Sequence, residues 1–220
     1  MVGKDDEVFI EEPPLTDPEG FVVRRVMDAD NSCLFNSIGY ALHKIRLEPQ
    51  KYRKLVAEAV LEDPITYNEA FLGKPIDEYS KWITQQTAWG GQIELSIFSK
   101  LFKTEIAAFD VVRNRHDVYG TEMSFKRRIL VIYDGIHYDA LAYCFGPALP
   151  EEMDICQFSP NDHAVMQHAQ TLCQQQHQSR KFTDVSNFTL RRLICQQGLK
   201  GQEEAQQHAQ QKGHQNFAEY

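Results

Sequence analysis

The chain has 220 residues, 42% of them hydrophobic and 25% charged, which supports a packed core and excludes global disorder. Its formal net charge of −8 disfavours non-specific nucleic-acid binding and suits a basic partner. No apolar run is long enough to cross a membrane, and the length suits one catalytic-sized domain with a small appendage.

In chain order, the first twenty residues are acidic and Pro-rich and read as a loose tail without the apolar stretch of a secretory signal. "FVVRRVM" reads as a strand. "DADNSCLFNSIGYAL", residues 28–42, sets Cys33 at the mouth of a helix whose apolar stripe is Leu34, Phe35, Ile38, Ala41 and Leu42. "KYRKLVAEAVLED" has helical spacing at Tyr52, Leu55, Val56, Ala59 and Val60. Asp63-Pro64 restarts the chain, and "PIDEYSKWITQQ" is a further helix with Pro75 near its first turn.

"WGGQIELSIFSKLF" follows, with Ile93, Ile97, Phe98, Leu101 and Phe102 on one face and Gly90-Gly91 allowing a sharp turn before it. "TEIAAFDVV" reads as a strand and "RNRHDVYGTEMSFK" as a long polar connection. "RRILVIYDGIHYDALAY" is strand, Asp-Gly turn, strand. A Gln-rich polar helix spans roughly 161–182, and the last segment, from about 183, has its own strand and helix. Strands and helices mix irregularly, so the fold class is α/β or α+β, a sheet sandwiched by helices.

Five cysteines stand at 33, 144, 156, 173 and 195 with no C-x-x-C, a pattern of a reducing compartment, and the cytoplasm is the expected location. Cys33 is the candidate nucleophile. The free amides and partial positive charge of a helix N-terminus favour an anion there, and the turn of Asp30, Asn31 and Cys33 offers backbone donors to a developing oxyanion. Among eight histidines, His137 stands out as the base. It follows the Asp134-Gly135 turn, and strand alternation puts it on one face with Asp139. Asp30, three residues before Cys33, is a second candidate acid. Cysteines that open helices are also common core residues, and histidines beside turns are common surface residues, so spacing alone leaves a cysteine hydrolase and a structural reading both open.

The blocks "DADNSCLFNSIGYAL", "WGGQIELSIFSKLF" and "VIYDGIHYDAL" resemble, in order and spacing, the signatures of the ovarian-tumour-domain (OTU) deubiquitinating cysteine proteases. The resemblance is closest to the branch with a C-terminal C2H2-type finger, whose members assist the ubiquitin-selective AAA unfoldase in protein quality control, including degradation from the endoplasmic reticulum. It implies a papain-like OTU fold over 21–182, an N-terminal tail over 1–20 and a degenerate finger-like module over 183–220. It implies Cys33 as nucleophile, His137 as base, and either Asp30 or Asp139 as acid, Asp139 being preferred on strand geometry. Ubiquitin and its chains are the implied partners, with no nucleic acid, no membrane and a monomeric state expected, and no cofactor for catalysis. Trp89 and Gly90 are expected to wall a cleft for the ubiquitin tail and Ile136 to touch it. Ile155 and Phe158 are candidate anchors for a second ubiquitin, and His116 lies in the family's variable loop. Many branch members also carry an N-terminal ubiquitin-like domain, for which some twenty residues are too few.

Cys195, His208 and His214 match the second half of a C-x₂-C-x₁₂-H-x₃₋₅-H zinc site, but Arg192 stands where the first cysteine belongs. Arginine has no lone pair to donate. Either zinc binds with water or a distant ligand, or the module folds without metal.

Overall fold

The computed structural model describes residues 20–46, 48–146 and 149–183, together with the backbone of Thr189–Arg192, Gly198–Lys200 and Phe217–Glu219. The tail over 1–19, the C-terminal helix and the three metal candidates lie outside the described residues.

The centre is a five-stranded sheet in the order β1-β5-β4-β2-β3. Its members are β1 (Phe21–Arg25), β2 (Glu105–Asp110), β3 (Arg115–Tyr119), β4 (Arg128–Tyr133) and β5 (Tyr138–Cys144). β2 and β4 run parallel, and the remaining pairs are antiparallel. Both faces of the middle strands are buried, as their near-continuous apolar runs require. Alternation divides β4 cleanly: Ile129 and Val131 face one core, Leu130 and Ile132 the other.

The first core is closed by α1 (Cys33–His43), α2 (Pro49–Glu62), α4 (Ile76–Ile83) and α5 (Gln92–Leu101), with a short α3 (Glu69–Leu72) alongside. The second is closed by α6 (His163–Gln178) through Val165, Ala169 and Cys173. α1 is the central helix: Leu34 through Leu42 are all buried, so it is apolar around most of its circumference rather than amphipathic. It stops where Lys44 turns left-handed at φ 58°, its amide and that of Ile45 closing on the carbonyls of Tyr40 and Gly39. α6 begins at Asp162, whose carboxylate accepts from the Val165 amide at 3.1 Å.

Two elements correct the sequence reading. The polar connection "RNRHDVYGTEMSFK" contains β3, which pairs with β2 from Ile106–Tyr119 to Asp110–Arg115. It is an edge strand, where charged residues such as Arg115 and Asp117 keep the free edge from further pairing, and that charge masks the strand pattern. The turn of helix at α3 was not expected; it forms because the Asn68 side chain caps it, accepting from the Phe71 amide at 3.1 Å. In the C-terminal segment three short strands, β6 (Thr189–Arg192), β7 (Gly198–Lys200) and β8 (Phe217–Glu219), form a sheet in the order β7-β6-β8 where one strand was expected.

Phe98 joins α5 to α1 and α2, with ring centroids 6.0 Å from Phe35, 6.1 Å from Tyr52 and 6.0 Å from Phe102. It is fully buried. Phe98→Ala is expected to cost about 3–5 kcal/mol in urea unfolding. A loss below about 1 kcal/mol would contradict this packing.

Candidate active site

Cys33 is the first residue of α1, partly exposed and packed on the first core. The Tyr138 amide points at its sulfur from 3.4 Å, and the neighbouring His137 imidazole is close enough to feel the thiol electrostatically. His137 sits in the β4–β5 connection, one residue before β5. Its Nε2 lies 3.1 Å from Oδ1 of Asp139, which is wholly buried. The structure therefore brings Cys33, His137 and Asp139 into one chain of contacts, with Asp139 and His137 on a common strand face.

A buried carboxylate needs partners on both of its oxygens. Asp139 has them: the Met27 amide donates to Oδ1 at 2.6 Å, and Arg24 Nε donates to Oδ2. Burial alone would raise its pKa, but the hydrogen bonds from His137 and Met27 and the Arg24 charge hold it below the usual carboxylate value. The converse holds for His137. Burial opposes its charged form, but hydrogen bonds and negative charge from Asp139 and Cys33 outweigh burial and raise it from 6.5 to about 10. The turn itself is tied by Asp134, whose Oδ1 accepts the His137 amide at 2.9 Å and whose Oδ2 takes Arg24 at 2.7 Å.

The loop before Cys33 is built separately. Asp30 accepts the Ser32 amide at 2.9 Å in an Asx turn, and Asn31 is left-handed at φ 64°. Asp30 thus shapes the loop rather than contacting the imidazole. The amides of Asp30, Asn31 and Cys33 donate to no other described residue. Trp89 is partly exposed and donates through Nε1 to Asn31 Oδ1 at 2.7 Å, which sets it beside the same loop. At Gly90 a Cβ would lie 2.5 Å from Leu34 Cδ2, so the chain passes too close to α1 for any side chain.

Arg53 is the residue that sequence reasoning missed here. It is fully buried, stacks 4.1 Å over the Phe35 ring, and donates to the carbonyls of Ile83, Ala88 and Asn31 and to Ser32 Oγ. Burial lowers its pKa to about 10, against the opposing charges of Asp30, Glu94 and Cys33. A signal existed: Arg53 stands at i relative to Val56, Ala57 and Val60, on the buried stripe of α2. Arg24 was also missed, and nothing in "FVVRR" marks it.

The remaining candidates are spread out. Ile136 is half-buried in the histidine turn, its amide 3.3 Å from Asp134 Oδ1. Ile155 is half-buried and bridges to Tyr143. Phe158 corrects its expectation: at 4% exposure it belongs to the second core, where its backbone pairs with Arg128, so its ring offers no surface anchor. His116 is exposed, bonded to Gln170 Oε1 at 2.9 Å and remote from the Cys33 chain of contacts. Cys144, Cys156 and Cys173 are buried free thiols. Among the described residues, no group of three or more His, Cys, Asp or Glu could hold a metal ion.

Comparison with known proteins gives three findings. The family profile for OTU-like cysteine proteases matches residues 28–141, and that for the ubiquitin thioesterase OTU1 C-terminal C2H2-type zinc finger matches 186–220. An ovarian tumor domain-containing deubiquitinating enzyme 2 of Arabidopsis thaliana is 44% identical over 92% of this chain and 99% of its own length. The ubiquitin thioesterase OTU1 of Homo sapiens is 44% identical over 90% of this chain, which spans only 57% of that relative. The corresponding Dictyostelium discoideum protein is 45% identical over 91% of this chain and 62% of its own. A solved OTU domain in complex with ubiquitin aligns with a TM-score of 0.65 at 28% identity, covering 74% of this chain and 90% of that one.

With its folded pKa above 6.5, His137 stabilises the fold fully below that value and loses the contribution as pH rises through about 10. The difference in urea-unfolding free energy between the parent and His137→Ala is therefore expected to shrink between about pH 7 and about pH 10.5. A difference that stays constant or grows would contradict the arrangement.

Proposed function

Since this chain belongs to the OTU-like family of cysteine proteases, we propose that it is a deubiquitinating thiol hydrolase, cleaving isopeptide bonds at the ubiquitin C-terminus. The observation that carries this reading is the placement of Cys33 at a helix N-terminus against the His137 turn, with the Tyr138 amide 3.4 Å from its sulfur and His137 Nε2 3.1 Å from Asp139 Oδ1.

Cys33 is the nucleophile, and His137 takes its proton as general base. The sulfur attacks the terminal glycine carbonyl, and the oxyanion that forms faces the amides of Asp30, Asn31 and Cys33. One such donor is worth roughly 3 kcal/mol of barrier. His137 then protonates the departing lysine amine, and a thioester remains. Water attacks that thioester while His137 takes its proton, and Cys33 is released. Asp139 keeps the imidazole oriented and favours its charged form; Asp30 holds the loop that carries the amides.

Trp89 and Gly90 would wall a narrow cleft over Cys33, with Trp89 set beside the Cys33 loop by its bond to Asn31, and Ile136 would border it from the histidine turn. Such a cleft suits a Gly-Gly tail. Ile155, half-buried, remains as the candidate for the proposed second ubiquitin contact. The place we propose for it, cytoplasmic protein quality control with degradation from the endoplasmic reticulum, the AAA unfoldase as a partner and the chain acting as a monomer, is carried over from the resemblance to the finger-bearing branch of the family. In the C-terminal module, zinc would be held by Cys195, His208 and His214. That is one donor short of a closed structural site, and no step of the reaction runs through it.

Incubation with linked diubiquitins and with ubiquitin bearing a C-terminal electrophile tests the reading. The parent is expected to cleave at least one linkage and to form a covalent adduct. Cys33→Ala is expected to form none and to lose roughly a thousandfold or more in cleavage rate. Cleavage that persists in Cys33→Ala, or binding of ubiquitin by the parent with neither cleavage nor adduct, would contradict it.

A further inference from the structure

The histidine turn is also braced from behind. After α6 the chain reverses at Arg180, which is left-handed at φ 52°, with the Lys181 amide returning to the Gln176 carbonyl at 2.9 Å. The following residues then run against the β4–β5 connection. The Thr183 amide donates to the Asp134 carbonyl at 2.8 Å. Its own carbonyl lies over Gly135, so close that a Cβ on that residue would be 2.0 Å away. Gly135 is at φ +106°, so both its conformation and its neighbour require glycine.

This segment is itself anchored. Phe182 packs on the second core and stacks with the His177 ring, the centroids 5.4 Å apart and the planes 6° from parallel. His177 Nδ1 is 2.8 Å from the Val111 carbonyl, just past β2. The preceding residue, Gln176, accepts through Oε1 from Arg24 at 2.8 Å, and Arg24 also holds both Asp134 and Asp139.

We infer that His177–Thr183 is a strap whose Thr183 amide and Phe182 anchor set the position of the His137 turn, making them positioning residues for the hydrolysis proposed above, on which this inference rests. The logic is geometric. His137 lies in a short connection whose backbone is held by Asp134, and Asp134 is gripped on its carboxylate by Arg24 and on its carbonyl by Thr183. Releasing the carbonyl removes the tie that holds the turn from the α6 side, and a displacement of about 1 Å at a reacting group can cost on the order of a hundredfold in rate. The match to the zinc-finger profile begins at residue 186, just past the strap, so the C-terminal module is covalently joined to the element that braces the imidazole.

The test uses the full chain and a ubiquitin C-terminal amide carrying a fluorophore. Thr183→Pro deletes the donor amide outright, and Phe182→Ala removes the anchor. Each is expected to lower kcat by about tenfold with KM within about twofold, because ground-state binding of ubiquitin is untouched. Phe182→Tyr, which keeps the ring stack, is expected to restore kcat. Thermal melting reports folding, and if Phe182→Ala melts early, Thr183→Pro decides. Strap variants that match the parent in kcat, or that change KM alone, overturn the strap while labelling of Cys33 by the ubiquitin electrophile upholds the underlying reading. A parent that neither turns over nor labels overturns both.

Discussion

The Asp139 carboxylate is the constraint around which this molecule is arranged. It lies at zero exposure in a strand whose every residue is buried. An ion in such a place is tolerated only when its oxygens are all engaged. Three different parts of the chain engage them: the Met27 amide after β1, the Arg24 side chain on β1, and the His137 ring from the preceding turn. The same carboxylate thus fixes β1 at the sheet edge, fixes the orientation of the imidazole, and favours its charged form. A hydrophobic residue of similar size would pack there at no cost in desolvation, so the carboxylate is explained by what it does to His137 rather than by stability.

The nucleophile's half of the site is held by different means. There the support is a buried cation, Arg53, which satisfies backbone carbonyls from the loop before Cys33 and from the segment leading to Trp89. With the Asn31 carbonyl directed inward, the amides of Asp30, Asn31 and Cys33 donate to no described residue. The two halves meet at Cys33, where the Tyr138 amide next to His137 points at the sulfur. Each is rigid because its charged support is shared between several elements, so neither catalytic group depends on a single neighbour for its place.

Much of this was legible in the sequence, for identifiable reasons. The helix opening at Cys33 could be read because its apolar spacing is uninterrupted. The strand–turn–strand around His137 could be read because Asp-Gly lies between two apolar runs, and alternation then put Asp139 beside His137. What could not be read depends on distant parts of the chain. β3 is an edge strand written in charged residues, so it looked like a loop. Arg53 and Arg24 are defined by partners thirty and more than a hundred residues away, and no local pattern carries that information. The resemblance implies a surface anchor at Phe158, whereas pairing with Arg128 turns it inward as a core edge. The strap behind the histidine turn follows a Gln-rich helix that by composition is only a solvated face.

The measurement that bears most directly on this account is an NMR titration of the His137 imidazole in the parent and in Asp139→Asn. The account predicts a midpoint well above the ordinary 6.5 in the parent, and a return toward that value when the neighbouring charge is removed. A parent midpoint at or below 6.5, or one that does not move in Asp139→Asn, would contradict the claim that this buried carboxylate governs the charge on the base.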